Sequence, residues 1–400
     1  MTHKFALTLM FSSLFVLFLY GQSTEELFKS PPASAKPHTM WNWLNGNVSK
    51  EGITKDLETM KDVGIGGFQI FCGGFDVGTG FDLESGPVVF NQPIFFDHIG
   101  WAISESERLG LGVDLNNAGG WSCTGGPWVT PEMSMKVVTW SETIVKGGKN
   151  IMVKTDVPKV VRDKDTYYYE DIAVVAFPTS KNQEYKFEQW KDKSLHNVHI
   201  RSENFGHKPG IAPADAVISS KTIKVIKEKP NSEGNIKLTL PAGEWTIMRV
   251  GYTSTWSEVR PTPRSEYGLE IDKLSRKAVD LHWNSYLTKL ISAAKGSKAF
   301  KALHIDSYEV GMQNWTEGFD IEFRKRRSYD LIAYLPCMAG YIVDDVMTTE
   351  RVLWDMRTTV AELMHENFYE YFAEKCHENG LKLSIEPFGS GSLDAPATAL

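Results

Sequence analysis

The run Ala302-Leu303-His304-Ile305-Asp306-Ser307-Tyr308-Glu309 carries the densest chemistry in the chain. Read as a strand, it points Leu303 and Ile305 to one side and His304, Asp306 and Tyr308 to the other. One apolar face and one ionisable face make a poor core strand but a good active-site strand at the C-terminal mouth of an α/β barrel. Glu309, just past it, is placed to act as a general acid. A second carboxyl, Glu386, closes the similar run Leu381 to Glu386, where Leu383 and Ile385 face outward and Ser384 and Glu386 inward. A third run, Leu111 to Asn116, turns Leu111, Val113 and Leu115 outward and Asp114 and Asn116 inward.

The elements around these runs predict how they are held. Met40 to Gly46 reads as a first strand. Ser49 caps a helix with Ile53, Leu57, Met60 and Val63 on one stripe, and Gly64 ends it. Gly66 to Cys72 is a second strand, a helix runs from Asp97 to Leu109, and Gly110 stops it before the third strand. Strand–helix–strand alternation with short joints is the mark of a parallel sheet. From about 138 to 252 the rhythm changes to short alternating runs with turn residues, an inserted β-sandwich-like domain. Helical spacing resumes over 275–294, and a long helix over 349–379 leads into the fifth strand. The expected division is 33–130 for the first part of the barrel, 131–262 for the insert and 263–400 for the barrel's continuation. Five strands do not close an eight-stranded barrel, so the chain is expected to be a portion of a longer one.

Composition narrows the class. Of 400 residues, 42% are hydrophobic and 23% charged, as in a folded globular protein, and a net charge of −7 argues against nucleic-acid binding. Residues 1–22 read as a secretory signal peptide, with Lys4 ahead of an apolar run from Phe5 to Tyr20. The mature protein is then periplasmic or extracellular and keeps no stable membrane insertion. Cys72, Cys123, Cys337 and Cys376 have no metal-ligand spacing, and spacing alone leaves them paired or free.

The block Trp41-Asn42-Trp43-Leu44-Asn45-Gly46, the segment Val48 to Glu58, Gly64-Ile65-Gly66-Gly67, Gly119-Gly120-Trp121, Gly125-Gly126-Pro127, Gly268 to Lys273 and Asp306-Ser307-Tyr308-Glu309 resemble glycoside hydrolase family 106 over about residues 33–390. That resemblance implies a secreted α-L-rhamnosidase acting on plant or algal oligosaccharides or polysaccharides. It also implies a (β/α)8 barrel with an inserted β domain and further β-rich domains, and inverting hydrolysis assisted by Ca2+. Family members are much longer than this chain. The competing expectation is a catalytically inactive fragment that at most binds carbohydrate; a third is a hydrolase for another deoxy or acidic sugar.

Inverting hydrolysis needs an acid and a base with room for water, about 6.5–9.5 Å apart. Glu309 is the expected acid, with Tyr308 and Trp315 as walls that exclude water. Neighbouring strands lie about 4.8 Å apart, so Glu386 sits too close to be the base and is expected to bind sugar or metal. The base is expected on a later strand, beyond Leu400. Trp41, Trp43 and Trp121 offer stacking faces to a sugar. Asn45, Asp114, Asn116, His304, Asp306 and Tyr308 complete the candidate substrate contacts. Asp114, Asn116, Asn117, Asp306 and Glu386 are the inward oxygens from which a calcium set could come, and sequence does not choose among them.

Overall fold

The computed structural model describes residues 23–74, 83–158, 160, 167–196, 210–262 and 266–386. The expected signal segment lies outside them. The central element is a five-stranded parallel sheet in the order β1-β2-β3-β11-β13, built from His38–Leu44, Gly67–Gly73, Gly112–Asn116, Phe300–Ile305 and Lys382–Ile385. All four pairings are parallel, with Asn42 opposite Phe71, Asn116 opposite His304 and His304 opposite Ser384; the β3–β11 register shifts once, between Phe300 and Ala302. Among the described residues the sheet is open, with β1 and β13 at its edges. The expected parallel α/β core of about five strands is therefore observed as an open sheet.

Helices cover one face of this sheet. Helix α1, Lys50–Asp62, starts at Ser49, whose side chain accepts from the Gly52 amide. It buries Ile53 and Leu57 but leaves Val63, expected on the same stripe, at the exposed end. Helix α2, Pro93–Leu109, begins four residues earlier than the sequence suggested, because Pro93 at its first turn needs no amide partner. Gly110 ends it with φ 68°, a conformation that costs glycine little. Helix α3, Arg276–His282, passes through a π turn into α4, Thr288–Ala293. The long helix is α6, Val346–Met364, which passes through a second π turn into α7, Tyr371–Glu378. The shorter α5, Phe319–Arg327, carries the basic run, and Arg326 and Arg327 reach Glu362 and Glu366 on the long helix segment. No helix among the described residues is long and apolar enough to cross a membrane.

The insert is a four-stranded antiparallel sheet in the order β4 (Lys136–Lys146), β10 (Glu244–Ser254), β6 (Glu170–Pro178) and β8 (Lys224–Ile226), with a separate ribbon of β5 (Ile151–Lys154) and β9 (Asn235–Leu238) laid on one face; a short parallel pair, β7 (Val217–Ile218) and β12 (Ile342–Val343), lies apart from both. Val153, Ile236 and Leu238 of the ribbon pack with Val174, Trp245 and Ile247 of the sheet. The opposite face, including Val138, Val175, Phe177 and Met248, joins the main core. The insert is thus welded to the body, and its Phe177 ring meets Tyr341 at 5.1 Å.

The weld is completed by buried charge. Lys136 at the start of β4 donates to Asp272 at 2.8 Å, and both side chains are almost fully buried. Asp272 also accepts from Gln313, Thr316 and the Leu274 amide. Beside it, Lys273 donates to Glu270 at 2.7 Å with neither side chain exposed. Three segments distant in sequence meet here: the first insert strand, the return into the body, and the loop after β11. All four cysteines are free and buried, so no disulfide shares this task.

Deleting one member of a buried pair strands the other's charge. Asp272→Ala should therefore lower stability by about 3–5 kcal/mol in urea unfolding. A loss below about 1 kcal/mol, the size of a surface pair, would show that the network is peripheral.

Candidate active site

The C-terminal ends of the sheet gather the ionisable groups. His304 is the last inward residue of β11, and Asp306 follows where the strand gives way to loop. Glu386 stands just after β13, its amide bonded to the Ile305 carbonyl. One ligand atom from each of His304, Asp306 and Glu386 lies within 4.8 Å of the others. His304 and Asp306 are buried and Glu386 is exposed, so the cluster opens to solvent through Glu386.

Burial sets the protonation of this cluster. It pushes the Asp306 carboxyl up to about 6, helped by the like charges of Glu386 and Glu309, against a Ser307 amide that favours the ionised form. Burial also lowers His304 to about 4, so its imidazole is neutral at ordinary pH. Its Nδ1 lies 3.0 Å from the Ser384 hydroxyl, and its ring packs edge-on to Phe71 at 5.8 Å. Two carboxyls and a neutral imidazole this close can share a proton or hold a divalent cation. They are too close to leave room for water between an acid and a base.

Glu309 is exposed beside the cluster, near enough to act on Asp306. The expected walls around it are not there. Tyr308 turns back into the core, where Lys273 sits 5.2 Å from its ring, and Trp315 is buried against Phe319. The strand ends at Ile305, so the alternation that would have aimed Tyr308 inward stops before reaching it.

Five other expected contacts also lie elsewhere or are occupied. Trp41 and Trp43 occupy the helix-covered face; Trp43 is 3% exposed, and Trp41 packs edge-on to it and to Phe68. Alternation explains this, since the two tryptophans flank Asn42 and only Asn42 faces the other way. Asp114 faces the expected side but one layer lower, opposite Ala302, lining a hollow with His38 and Lys382 near the strands' N-terminal ends. Asn45 is buried and donates to the Leu83 carbonyl at 2.6 Å, fastening the loop that follows β2.

Asn116 is at the expected end of β3, but its side chain is spent on the loop, donating to the Gly120 carbonyl. Its neighbour Asn117 donates from Nδ2 to the Cys123 and His304 carbonyls, both at 2.9 Å. His282 of α3 supports it. The His282 Nε2 lies 2.9 and 3.0 Å from the Asn117 backbone and side-chain oxygens, two acceptors, so it carries the proton. Its Nδ1 then accepts from Trp128 Nε1, and burial holds the ring neutral. This relay fixes the Gly119-Gly120-Trp121 turn above His304. Trp121 is 44% exposed there, where a ligand could stack on it. Gly120 has φ 66°, and a Cβ at this position would meet the Pro261 and Arg260 backbone at under 3 Å.

Carboxyl groups collected above the C-terminal ends of parallel strands are the setting of a hydrolytic α/β enzyme site. A model of glycoside hydrolase family 106, alpha-L-rhamnosidase, matches residues 29–394, and the chain belongs to that family. A protein of Formosa agariphila named putative beta-glucuronidase is 43% identical over 367 residues, covering 91% of this chain and 30% of its own length. The solved rhamnosidase of Novosphingobium sp. PP1Y aligns with TM-score 0.77 and 23% identity over 92% of this chain and 47% of that one. At that identity the likeness is one of fold. The chain spans less than half the length of either relative.

The raised Asp306 carboxyl predicts a pH signature. A carboxyl whose folded pKa lies above its ordinary value stabilises the fold while protonated. Its contribution is complete below 3.8 and is lost as pH rises through about 6. Melting temperature measured with chelator present should fall across that interval, and Asp306→Asn should flatten the slope. An unchanged slope in the variant would place the titration elsewhere.

Proposed function

We propose that this chain carries the acid half of an exported glycoside hydrolase that releases α-L-rhamnose from plant or algal oligosaccharides or polysaccharides with inversion. The observation that carries the reading is the position of Glu309: exposed at the mouth, next to but outside the crowded Asp306–Glu386 pair. From there it can protonate a leaving oxygen, while the close pair is left to bind. The water-activating base then comes from another strand of a (β/α)8 barrel to which the five-stranded sheet belongs. The open edges of β1 and β13 and the greater length of both relatives support this larger barrel. The apolar start of the chain supports export to the periplasm or beyond.

The donor set fits a divalent cation in part. Asp306 and Glu386 offer the carboxylate oxygens that calcium prefers, whereas a His304 nitrogen is not a usual calcium ligand and its Nδ1 is engaged with Ser384. Asp306 and Glu386 would hold Ca2+, with His304 beside them as a positioning group. A bound cation would supply positive charge for sugar hydroxyls and offset the repulsion between the carboxylates. Chelation should reduce activity of the full-length protein, and Ca2+ should restore it. Restoration by Zn2+ but not Ca2+ would assign His304 as a ligand instead.

A second reading, hydrolysis of a glucuronoside, is favoured by the name of the 43% identical relative. In either case Glu309→Gln in the full-length protein should cut hydrolysis by about 10²–10⁴-fold, the range of general acid catalysis. Hydrolysis of an aryl α-L-rhamnoside followed by NMR should show the β anomer first. A first-formed α anomer, or a variant as active as its parent, would overturn the assignment of Glu309.

A further inference from the structure

Glu309 is exposed, so where its carboxyl points is set by the backbone that carries it. On one side Tyr308 anchors that backbone in the core, its ring 5.2 Å from Lys273. On the other side stands Gly311 with φ 82°, a left-handed conformation that glycine enters and leaves at little cost. The firm contacts of Gln313 and Thr316 with Asp272, and of the Asn314 amide with the Lys136 carbonyl, all lie beyond that pivot. One residue, Val310, separates Glu309 from it, and the Val310 carbonyl accepts from the Ser257 hydroxyl at 2.6 Å. The Val310 side chain also packs partly on the main core, but an apolar contact is non-directional and fixes depth rather than rotation. A hydrogen bond is directional, so this one orients the Val310–Gly311 peptide a single residue from the acid.

Ser257 is itself held from several directions. It stands just past the end of β10, after Trp256, whose φ of 58° is a left-handed conformation that a bulky side chain rarely takes. Hydroxyls support that turn: the Trp256 amide donates to Ser254 Oγ at 3.0 Å, and Ser134 Oγ lies 2.7 Å from the same oxygen. Thr255 Oγ1 donates to Ser257 Oγ at 3.2 Å and accepts from the Ser257 amide at 3.3 Å. The Ser257 carbonyl accepts from the Glu270 amide at 2.9 Å, beside the buried Lys273–Glu270 pair. Unfavourable backbone of this kind persists only where its surroundings over-determine it, and it gathers at functional sites. We propose that Ser257 is the positioning residue of the acid: through Val310 it holds Glu309 where it can protonate the leaving oxygen. The proposal rests on the reading of Glu309 as general acid and adds the residue that aims it.

Leaving groups separate aim from stability. A dinitrophenolate departs without a proton, whereas a phenolate departs poorly unless protonated, so only the second feels where the acid stands. In the full-length protein, Ser257→Ala should lower kcat on phenyl α-L-rhamnoside by about tenfold to a hundredfold, the scale of a small misplacement of a catalytic group. KM, and the rate on dinitrophenyl α-L-rhamnoside, should change by less than about twofold, since binding is untouched. Ser257→Thr, which keeps the hydroxyl, should restore most of the loss, and both variants should melt near the parent's temperature. Glu309→Gln measured beside them should show the same dependence on leaving group, only larger. Equal losses on both substrates in Ser257→Ala, no loss at all, or a threonine variant no better than the alanine one would overturn the positioning role and leave the acid reading standing. Equal losses on both substrates in Glu309→Gln would overturn the acid reading and the positioning role with it.

Discussion

The buried pairs Lys136–Asp272 and Lys273–Glu270 are the constraint on which the arrangement depends. A chain that leaves its parallel sheet after β3, builds an antiparallel domain and returns for β11 must fix where it leaves and where it re-enters. Apolar packing alone is tolerant of sliding. Paired charges away from water are not, because any shift strands a charge in a medium that penalises it heavily. The same Asp272 also takes Gln313 and Thr316 from the segment after Glu309, so the exit, the return and the loop behind the acid are set by one group.

From that fixed point the site is assembled by short polar relays rather than by contacts among the functional groups themselves. Trp128, His282 and Asn117 run from the helix layer to the His304 carbonyl and hold the glycine turn above it. The neutral state of His282 matters because only a ring with the proton on Nε2 donates to Asn117 while accepting from Trp128. Ser257 reaches the Val310 carbonyl and pins the loop that bears Glu309. Burial and the nearness of Glu386 raise the Asp306 carboxyl, as expected where groups are arranged to bind or to move a proton rather than to stabilise.

Much of this was legible in the sequence, and the misses have physical causes. The five parallel strands, the insert and the inward set His304, Asp306, Ser384 and Glu386 follow from alternation and helical spacing, since these residues lie within or beside regular strands. Tyr308 was misassigned because alternation was extended past the end of β11. Trp41 and Trp43 were chosen for residue type and for their place near the C-terminal end of a strand, although the period that served for β3 and β11 puts Asn42 on the open face instead. Asp114 was on the right face at the wrong depth, a distinction that needs the register between strands. Asn117 was expected only as an oxygen for a cation; the anchoring roles of Asn117 and Ser257 could not be found by periodicity. They act from loops, and their roles come from backbone contacts with segments far away in sequence.

The family and the carboxyl geometry suit a glycosidase, while the family's description and the name of the 43% identical relative mention different sugars. The most direct test is hydrolysis by the full-length protein of an aryl α-L-rhamnoside and an aryl β-D-glucuronide, side by side. Release from the rhamnoside, and not from the glucuronide, is the predicted result. Release from the glucuronide alone would contradict the account of what this site cuts.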